Sequence, residues 1–175
     1  MMAKGQFSIS PHVVRQLGAE LVTDHVTALM ELIKNSYDAD ATYVKVTIDT
    51  QGKYEEASLY YPDHKGHILV EDNGCGMDEA TITKSWLTIS YSSKRAVGGK
   101  KKTSKKGRTP LGDKGLGRLS TQRLANICEI ISKKENGKGV HAGFDWRSFD
   151  TALKFSDVDV PIEAIDWNKP HGTKL

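Results

Sequence analysis

Cysteine is nearly absent from this sequence, since Cys75 and Cys128 are the only two among its 175 residues. Two cysteines cannot form a disulfide framework, and Cys128 lies in an apolar run where a buried free thiol is expected. The cysteines and the six histidines show no metal-ligand spacing, which argues against a zinc site. These absences favour a protein of the reducing cytoplasm.

Long hydrophobic segments are lacking as well. No apolar run approaches the length that spans a bilayer, and the N-terminal residues lack the apolar core of a signal peptide. A hydrophobic content of 38% with 27% charged residues is typical of a globular domain, and 175 residues suffice to bury one core. We therefore expect a single domain, residues 1–175, with no membrane contact.

Positive charge is concentrated in one segment. Eight basic residues and no acidic one lie between Lys94 and Arg108; without them the chain, formally +3, would carry −5. Residues 90–109 lack hydrophobic periodicity, which predicts a long mobile loop, and such a loop inside a compact domain is usually functional. The basic run 100–108 is either solvated or a contact for nucleic acid phosphates. Its lack of aromatic residues weakens a single-strand interpretation.

Hydrophobic periodicity predicts both helices and strands. The predicted helices cover residues 12–17 (ended by Gly18), Thr23 or Asp24 to about Asp38, residues 79–86 capped by Asp78, and residues 117–124. The predicted strands cover residues 43–49, 57–61, 67–72, 127–133, 139–146, 152–155 and 170–175. This pattern indicates an α+β fold, a mostly antiparallel mixed sheet with helices on one face.

The second predicted helix carries an unusual polar row. Glu31, Asn35 and Asp38 are spaced i, i+4, i+7 and therefore share one face. The row is either a solvated face or part of a site, and Lys34 and Ser36 are expected to face solvent. An apolar stripe recurs at helical spacing and is expected to pack on the sheet: Val26, Leu29, Met30, Ile33 and Tyr37.

A second motif, residues 72–77, follows directly from a predicted apolar strand. Asp72 at the strand end can accept a hydrogen bond from an exocyclic amine, while Gly74 and Gly76 let a flat ring approach the backbone. Met77 supplies a soft apolar contact beside such a ring. A plain turn is the alternative interpretation of this motif.

The third motif is a glycine cluster before a predicted helix. Gly112, Gly115 and Gly117 expose backbone N–H groups that can stabilise anionic oxygens, and Lys114 adds a charged donor. The preceding residues form a basic loop and no strand, which disfavours a dinucleotide-binding βαβ unit. The Gly-Lys-Ser/Thr ending of a P-loop is missing too. If a triphosphate is held here, Asn35 can serve as a magnesium ligand.

These motifs, in this order, resemble the GHKL superfamily of gyrase B, ninety-kilodalton heat-shock chaperones, histidine kinases and MutL. The family's first box, Glu-x-x-x-Asn-x-x-Asp-Ala, corresponds to residues 31–39, and its Asp-x-Gly-x-Gly-Met box corresponds to residues 72–77. Its glycine-rich lid box corresponds to residues 112–117, and its late Gly-Thr pair to Gly172-Thr173. The resemblance covers roughly residues 20–175 and implies a Bergerat-type two-layer sandwich.

The resemblance also implies roles for these residues in Mg²⁺-dependent binding and hydrolysis of ATP. Glu31 would be the general base, Asn35 the Mg²⁺ ligand, and Asp72 the reader of the adenine amine, with Asp38 near the base. The remaining nucleotide contacts implied by the boxes are Gly74, Gly76, Met77, Gly112, Lys114, Gly115, Leu116, Gly117, Thr173 and, more weakly, Lys94. Residues 90–114 would form a mobile ATP lid.

Within the superfamily, the glutamate of the first box and the sequence Asp-Ala-Asp-Ala at residues 38–41 resemble the hydrolytic MutL, MORC and heat-shock-like branch. Members of that branch usually carry a transducer domain whose lysine reaches the γ-phosphate, so a fragment of a longer, dimerising protein is expected. Isolated, the domain would bind nucleotide and hydrolyse it slowly or not at all. The alternatives are a nucleotide-gated interaction module and a histidine-kinase-like phosphotransferase.

Overall fold

The computed structural model describes residues 6, 8–55, 60–89, 103–112, 115 and 117–175. Its α-helices are α1 (Val13–Leu21), α2 (His25–Asp38), α3 (Glu79–Thr81), α4 (Thr121–Leu124) and α5 (Ser148–Thr151). A π-helical turn (Ile82–Trp86) continues α3, and short 3₁₀ turns cover Gly117–Ser120 and Phe155–Asp157. No helix of this part of the chain is long and apolar enough to cross a membrane.

Six strands form one sheet in the order β1-β2-β6-β3-β4-β5. Their bounds are β1 Val44–Lys53, β2 Lys65–Asp72, β3 Ile127–Lys133, β4 Gly139–Asp145, β5 Ile162–Ile165 and β6 Gly172–Lys174. All five pairings between these strands are antiparallel, so the α+β class with a mostly antiparallel sheet is confirmed, and no parallel pairing occurs among the described strands. The C-terminal β6 lies in the middle of the sheet, between β2 and β3.

Two strand assignments differ from the sequence-based prediction. Residues 152–155 form no strand; they lead from α5 into the 3₁₀ turn. The edge strand β5 was not predicted, because Glu163 and Ala164 interrupt its apolar alternation and both are exposed. For the predicted strand 57–61, only Tyr60 and Tyr61 are described, and they lie in a bend.

The first helix passes through Gly18 and ends at Leu21, so the predicted stop at Gly18 is wrong. Gly18 is buried, and a Cβ placed there would lie 1.6 Å from Nε2 of Gln122, whose amide donates to the Val14 carbonyl. The absence of a side chain at Gly18 therefore allows α1 and α4 to pack closely. A helix-ending glycine and a helix-packing glycine look alike in sequence.

Helix α2 begins where the sequence predicts, because the Asp24 carboxylate accepts from the Thr27 N–H and caps its first turn. The predicted apolar stripe, however, does not pack on the sheet: Val26 is 72% exposed, and Met30 and Tyr37 are exposed as well. The buried side chains of α2 are instead Ala28, Leu32, Ser36 and Asp38. The helix is rotated relative to the prediction, so that its small and polar side chains face inward.

One face of the sheet, here called the inner face, carries the core and the helices. Alternation along β3 and β4 turns Cys128, Ile130, Val140, Ala142 and Phe144 to this face, where all are buried. Val14 of α1, Leu119 and Phe149 pack on one end of it, and Ile82 of the π-helical turn packs on the other. A helical layer on one sheet face gives the two-layer arrangement that the sequence predicts.

Candidate functional site

Three polar side chains lie next to one another on the inner face where β2, β6 and β3 run side by side. Asp72 pairs with Thr173, and Thr173 pairs with Ser132 in the strand register. The Ser132 and Thr173 hydroxyls are 2.9 Å apart, and Asp72 is only 6% exposed. A buried carboxylate beside two hydroxyls is a polar floor suited to hydrogen bonding with a ligand.

Helix α2 reaches this floor through Ser36. Its hydroxyl donates to Asp72 Oδ2 at 2.7 Å, and the backbone N–H of Gly74 donates to Asp72 Oδ1 at 2.8 Å. Ser36 is 3% exposed, so the expectation that it faces solvent is wrong. With one donor on each oxygen, the Asp72 carboxylate is held in a fixed orientation and keeps further acceptor capacity.

The two glycines after Asp72 allow close backbone contacts. Gly76 has φ +62°, and a Cβ there would lie 1.9 Å from the Lys133 carbonyl oxygen. A Cβ on Gly74 would lie 2.8 Å from the Ala39 carbonyl oxygen, which already accepts from the Cys75 N–H. The Gly-x-Gly pattern therefore joins this turn to the end of α2 and to β3.

Glu31 and Asn35 lie at the opposite end of the site, against the glycine cluster. A Cβ on Gly117 would come within 3.5 Å of Glu31 Oε2 and 3.4 Å of Asn35 Nδ2, so glycine leaves room between the two side chains. Lys34 Nζ forms an ion pair with Glu31 Oε1 at 2.7 Å. Lys34 was expected only to face solvent; instead it restrains one oxygen of the candidate base.

Asp38 connects α2 to the start of the glycine cluster. Its carboxylate is 9% exposed and accepts from the backbone N–H of Leu111 at 2.8 Å and of Gly112 at 3.1 Å. The i, i+4, i+7 row predicted from sequence thus faces one cavity. Its last member contacts protein backbone, and its first two members face Gly117.

Residues 103–112 dock on the end of α2 through contacts that sequence reasoning missed. Asp40 accepts from the Ser104 hydroxyl at 2.5 Å and from the Lys106 N–H at 3.2 Å. The Arg108 guanidinium donates to the Tyr37 and Ala41 carbonyls and stacks over the Tyr37 ring, 4.7 Å from its centroid. The C-terminal part of the basic segment is therefore not simply solvated.

Arg118 is a second residue that sequence reasoning missed. It lines the same cavity and donates to the carbonyls of Ser85, Trp86 and Thr88 at the end of the π-helical turn. Burial lowers its pKa to about 10. A cation on the last carbonyls of a helical segment is a favourable arrangement. Its position directly after Gly117 was the only sequence feature that pointed to it.

A cavity of about 640 Å³ joins these features. Its lining includes ten of the residues that the boxes identify: Glu31, Asn35, Asp38, Asp72, Gly76, Met77, Gly112, Gly115, Gly117 and Thr173. Gly74 packs behind this wall against Ala39. Lys94, Lys114 and Leu116 lie outside the described residues. The volume is in the range of a small-molecule or cofactor pocket.

The cavity lining combines two groups of side chains. The Asp72 carboxylate and its register partner Thr173 form one group, and apolar side chains of Met77, Val70 and Ile130 also line the cavity. Glu31, Asn35 and Gly117 form the other group. Desolvation raises the pKa of the Cys75 thiol, which also lines the cavity, and the Asp40 and Asp72 carboxylates raise it further. The lining therefore offers an acceptor for an amine-bearing ring and backbone donors for anionic oxygens.

Comparison with known proteins identifies the family. The model of the histidine kinase-, DNA gyrase B- and HSP90-like ATPases matches residues 23–168. A putative type II restriction enzyme, HgiDII, of Herpetosiphon aurantiacus is 27% identical over 97% of this chain and 25% of its own length. The chaperone protein HtpG of Aliarcobacter butzleri is 28% identical over 86% of this chain and 24% of its own length.

A solved structure shares the fold. The crystal structure of the N-terminal domain of a DNA repair protein matches with a TM-score of 0.51 and 18% identity, covering 93% of this chain and 38% of that one. The chain spans about a quarter of the length of the two relatives above. The family match covers most of the chain, and the motif residues of that family line one cavity. The chain therefore belongs to the histidine kinase-, DNA gyrase B- and HSP90-like family of ATP-binding domains.

Proposed function

We propose that this domain binds ATP together with Mg²⁺ and hydrolyses it, with the adenine on Asp72 and the triphosphate between Gly117 and α2. One observation carries the proposal: a single cavity is lined both by the buried Asp72 carboxylate and by the Glu31–Asn35–Gly117 group. A buried acceptor and a glycine-lined polar group in one cavity suit a purine nucleotide.

Asp72 supports the adenine end by its remaining acceptor capacity. Each carboxylate oxygen accepts one internal hydrogen bond, from Ser36 or from Gly74, and each has a second lone pair. The exocyclic amine of adenine is a donor, whereas guanine presents a carbonyl at the same ring position. The carboxylate, held in this orientation, can therefore accept from the adenine amine.

The residues at the phosphate end fit a hydrated magnesium ion. Mg²⁺ prefers oxygen ligands and usually keeps several waters, so one amide oxygen from Asn35 is a sufficient direct protein ligand. The room beside Gly117 leaves space next to that amide. When bound, the ion would neutralise charge on the phosphate oxygens. Asn35 would hold it, and Gly112, Gly115 and Gly117 would offer backbone N–H groups to the phosphates.

Glu31 is the proposed general base. Its carboxylate can accept a proton from a water molecule as that water attacks the terminal phosphate. Lys34 holds Oε1 at 2.7 Å, whereas Oε2 faces Gly117. Lys34 thereby orients the base toward the phosphate end of the cavity.

Residues 90–114 are proposed to act as a lid over the nucleotide, anchored at its C-terminal side by the Asp38 and Asp40 contacts. Closing of a lid commonly excludes water and completes a catalytic site. In a longer protein, lid closure would be coupled to conformational change or dimerisation.

A second candidate function, a nucleotide-gated interaction module, follows from the same contacts. Residues 103–112 are hydrogen-bonded to side chains at the end of α2. Nucleotide binding can therefore order these residues into a surface for a partner protein while ATP hydrolysis stays negligible.

Steady-state phosphate release separates the two functions. Glu31→Gln, which keeps size but removes the base, is expected to lower turnover at least about a hundredfold while leaving ATP affinity within a few-fold. Lys154→Gln, an exposed change outside the cavity, is the control. If Glu31→Gln hydrolyses ATP as fast as the parent chain, Glu31 is not the general base. Saturable ATP binding without phosphate release by the parent chain would favour the gated module.

A further inference from the structure

The face of the sheet opposite the cavity, here called the outer face, carries a row of lysines. The strand register places Lys45, Glu71 and Lys174 side by side on β1, β2 and β6. Because successive residues of a strand alternate, these side chains lie on the face opposite Asp72 and Thr173. They are therefore separated from the proposed nucleotide site by the thickness of the sheet.

A cleft of about 580 Å³ continues this row across β3 and β4. Its lining includes Lys133, Lys138, Lys169 and Trp167. The Lys169 ammonium lies 2.6 Å from Glu71 Oε1, so the cleft and the lysine row form one continuous surface. Among the described residues that line the cleft, Asp166 carries the negative charge. Among the residues of the lysine row and the cleft lining that the structure describes, five lysines accompany the two carboxylates Glu71 and Asp166, so this part of the outer face carries a net positive charge.

Trp167 lies within this basic surface and is only partly buried. A Cβ on Gly139 would lie 2.8 Å from the Trp167 Cβ, so the glycine makes room for the tryptophan above the strand. Lys133 Nζ donates to the Trp167 carbonyl at 3.1 Å, and Lys169 Nζ lies 5.6 Å from the ring centroid. Trp167 is thus packed against Gly139 and tethered by Lys133, and one cation, Lys169, lies near its ring.

We propose that this outer surface binds single-stranded nucleic acid, with a base stacked on Trp167 and the phosphates on Lys45, Lys133, Lys138, Lys169 and Lys174. A basic groove combined with an aromatic platform is the arrangement by which proteins hold single strands without sequence preference. An acidic peptide would satisfy the lysines and leave the aromatic ring without a role. The surface is independent of the proposed ATP hydrolysis, because it lies on the other side of the sheet.

Fluorescence anisotropy with a fluorescein-labelled oligothymidylate of about 16 nucleotides tests the proposal. Trp167→Leu keeps an apolar side chain but removes the stacking ring, and it is expected to weaken binding about tenfold. Trp167→Phe should restore most of the affinity. The double variant Lys45→Gln/Lys138→Gln is expected to lower the slope of log affinity against log salt by about 1.4, since each phosphate contact on a single strand contributes about 0.7.

The matched control is Arg123→Gln/Lys154→Gln, which removes two exposed positive charges elsewhere on the described surface. An equal loss in this control would show unspecific charge attraction and overturn the proposal. So would binding to poly-glutamate with an affinity equal to the oligonucleotide's and unaffected by Trp167→Leu. Loss of oligonucleotide binding only when lysines 100–102 are changed would assign it to the basic segment, against the proposal. Retained ATP binding in each variant confirms that it is folded.

Discussion

Ser36 donates a 2.7 Å hydrogen bond to Asp72 and so joins the last turn of α2 to the end of β2 across 36 positions of sequence. This contact fixes the rotation of α2, because a serine that reaches the sheet must face inward together with Ala28 and Leu32. The same rotation turns Glu31 and Asn35 toward the cavity, beside Gly117. The Ser36 contact therefore helps to position both groups of the proposed nucleotide site.

Replacing the Asp72 carboxylate tests the adenine end. Asp72→Asn is expected to weaken ATP binding by about 1–3 kcal/mol, because the amide can place an N–H against the adenine amine and leave a buried group unsatisfied. Isothermal calorimetry gives the affinity. Ser36→Ala is the companion variant: it keeps the carboxylate, so its effect on affinity should be smaller, with a loss of stability of about 1.5–3 kcal/mol. Unchanged affinity in Asp72→Asn would refute the adenine assignment.

Gly76→Ala tests the close packing behind the cavity. Both the positive φ and the 1.9 Å approach of a Cβ to the Lys133 carbonyl oppose a side chain, so a loss of unfolding free energy above about 2 kcal/mol is expected. Gly107→Ala is a matched control, since Gly107 has φ +78° but nothing within 4 Å of an added Cβ. Gly107→Ala should lose only about 1 kcal/mol of unfolding free energy, because alanine disfavours a positive φ. Equal losses in urea titrations of the two variants would mean that packing at Gly76 is unimportant.

The contacts of Asp40 predict that residues 103–108 dock on the end of α2 in a pH-dependent way; these contacts are called the Asp40 anchor. The Ser104 hydroxyl above all, with the Lys106 N–H and the Arg108 charge, holds the pKa of Asp40 below its ordinary 3.8. A lowered pKa means that docking favours the charged carboxylate. The anchor is therefore fully present above about pH 4 and is lost as the pH falls through the lowered pKa.

Amide hydrogen exchange of residues 103–108, corrected for the intrinsic pH dependence, measures this anchor. Asp40→Asn should show at neutral pH the fast exchange that the parent shows only in acid. Asp63→Asn serves as control, because the Asp63 side chain is 89% exposed and forms an ion pair with Lys53 at 3.5 Å, outside residues 103–112. Protection in Asp40→Asn equal to the parent would indicate that the backbone contacts of Arg108 and Asp38 suffice by themselves.

The sequence predicted most of the side chains that line the cavity, because these residues belong to compact local motifs. Glu31, Asn35 and Asp38 fall on one helix face by period alone, and Asp72 follows an apolar strand that a period of two identifies. The central strands were predicted almost to the residue. The sequence identified Gly74 and Gly76 as positions where a flat ring could approach the backbone; in the structure a Cβ on Gly76 would meet the Lys133 carbonyl oxygen, a contact that the motif did not predict.

Tertiary structure decided what local patterns leave open. Val26, Met30 and Tyr37 form an apolar stripe that is exposed, since the helix is oriented by Ser36, by the capping Asp24 and by the small Ala28. The docking of Asp40 to Ser104 joins residues 64 positions apart, and no periodicity encodes such a contact. Sequence by itself determined which groups the site contains; packing determined which way the helix carrying them turns. The physical reason is that periodicity fixes which residues share a face, whereas the free energy of burial against distant partners selects the face that turns inward.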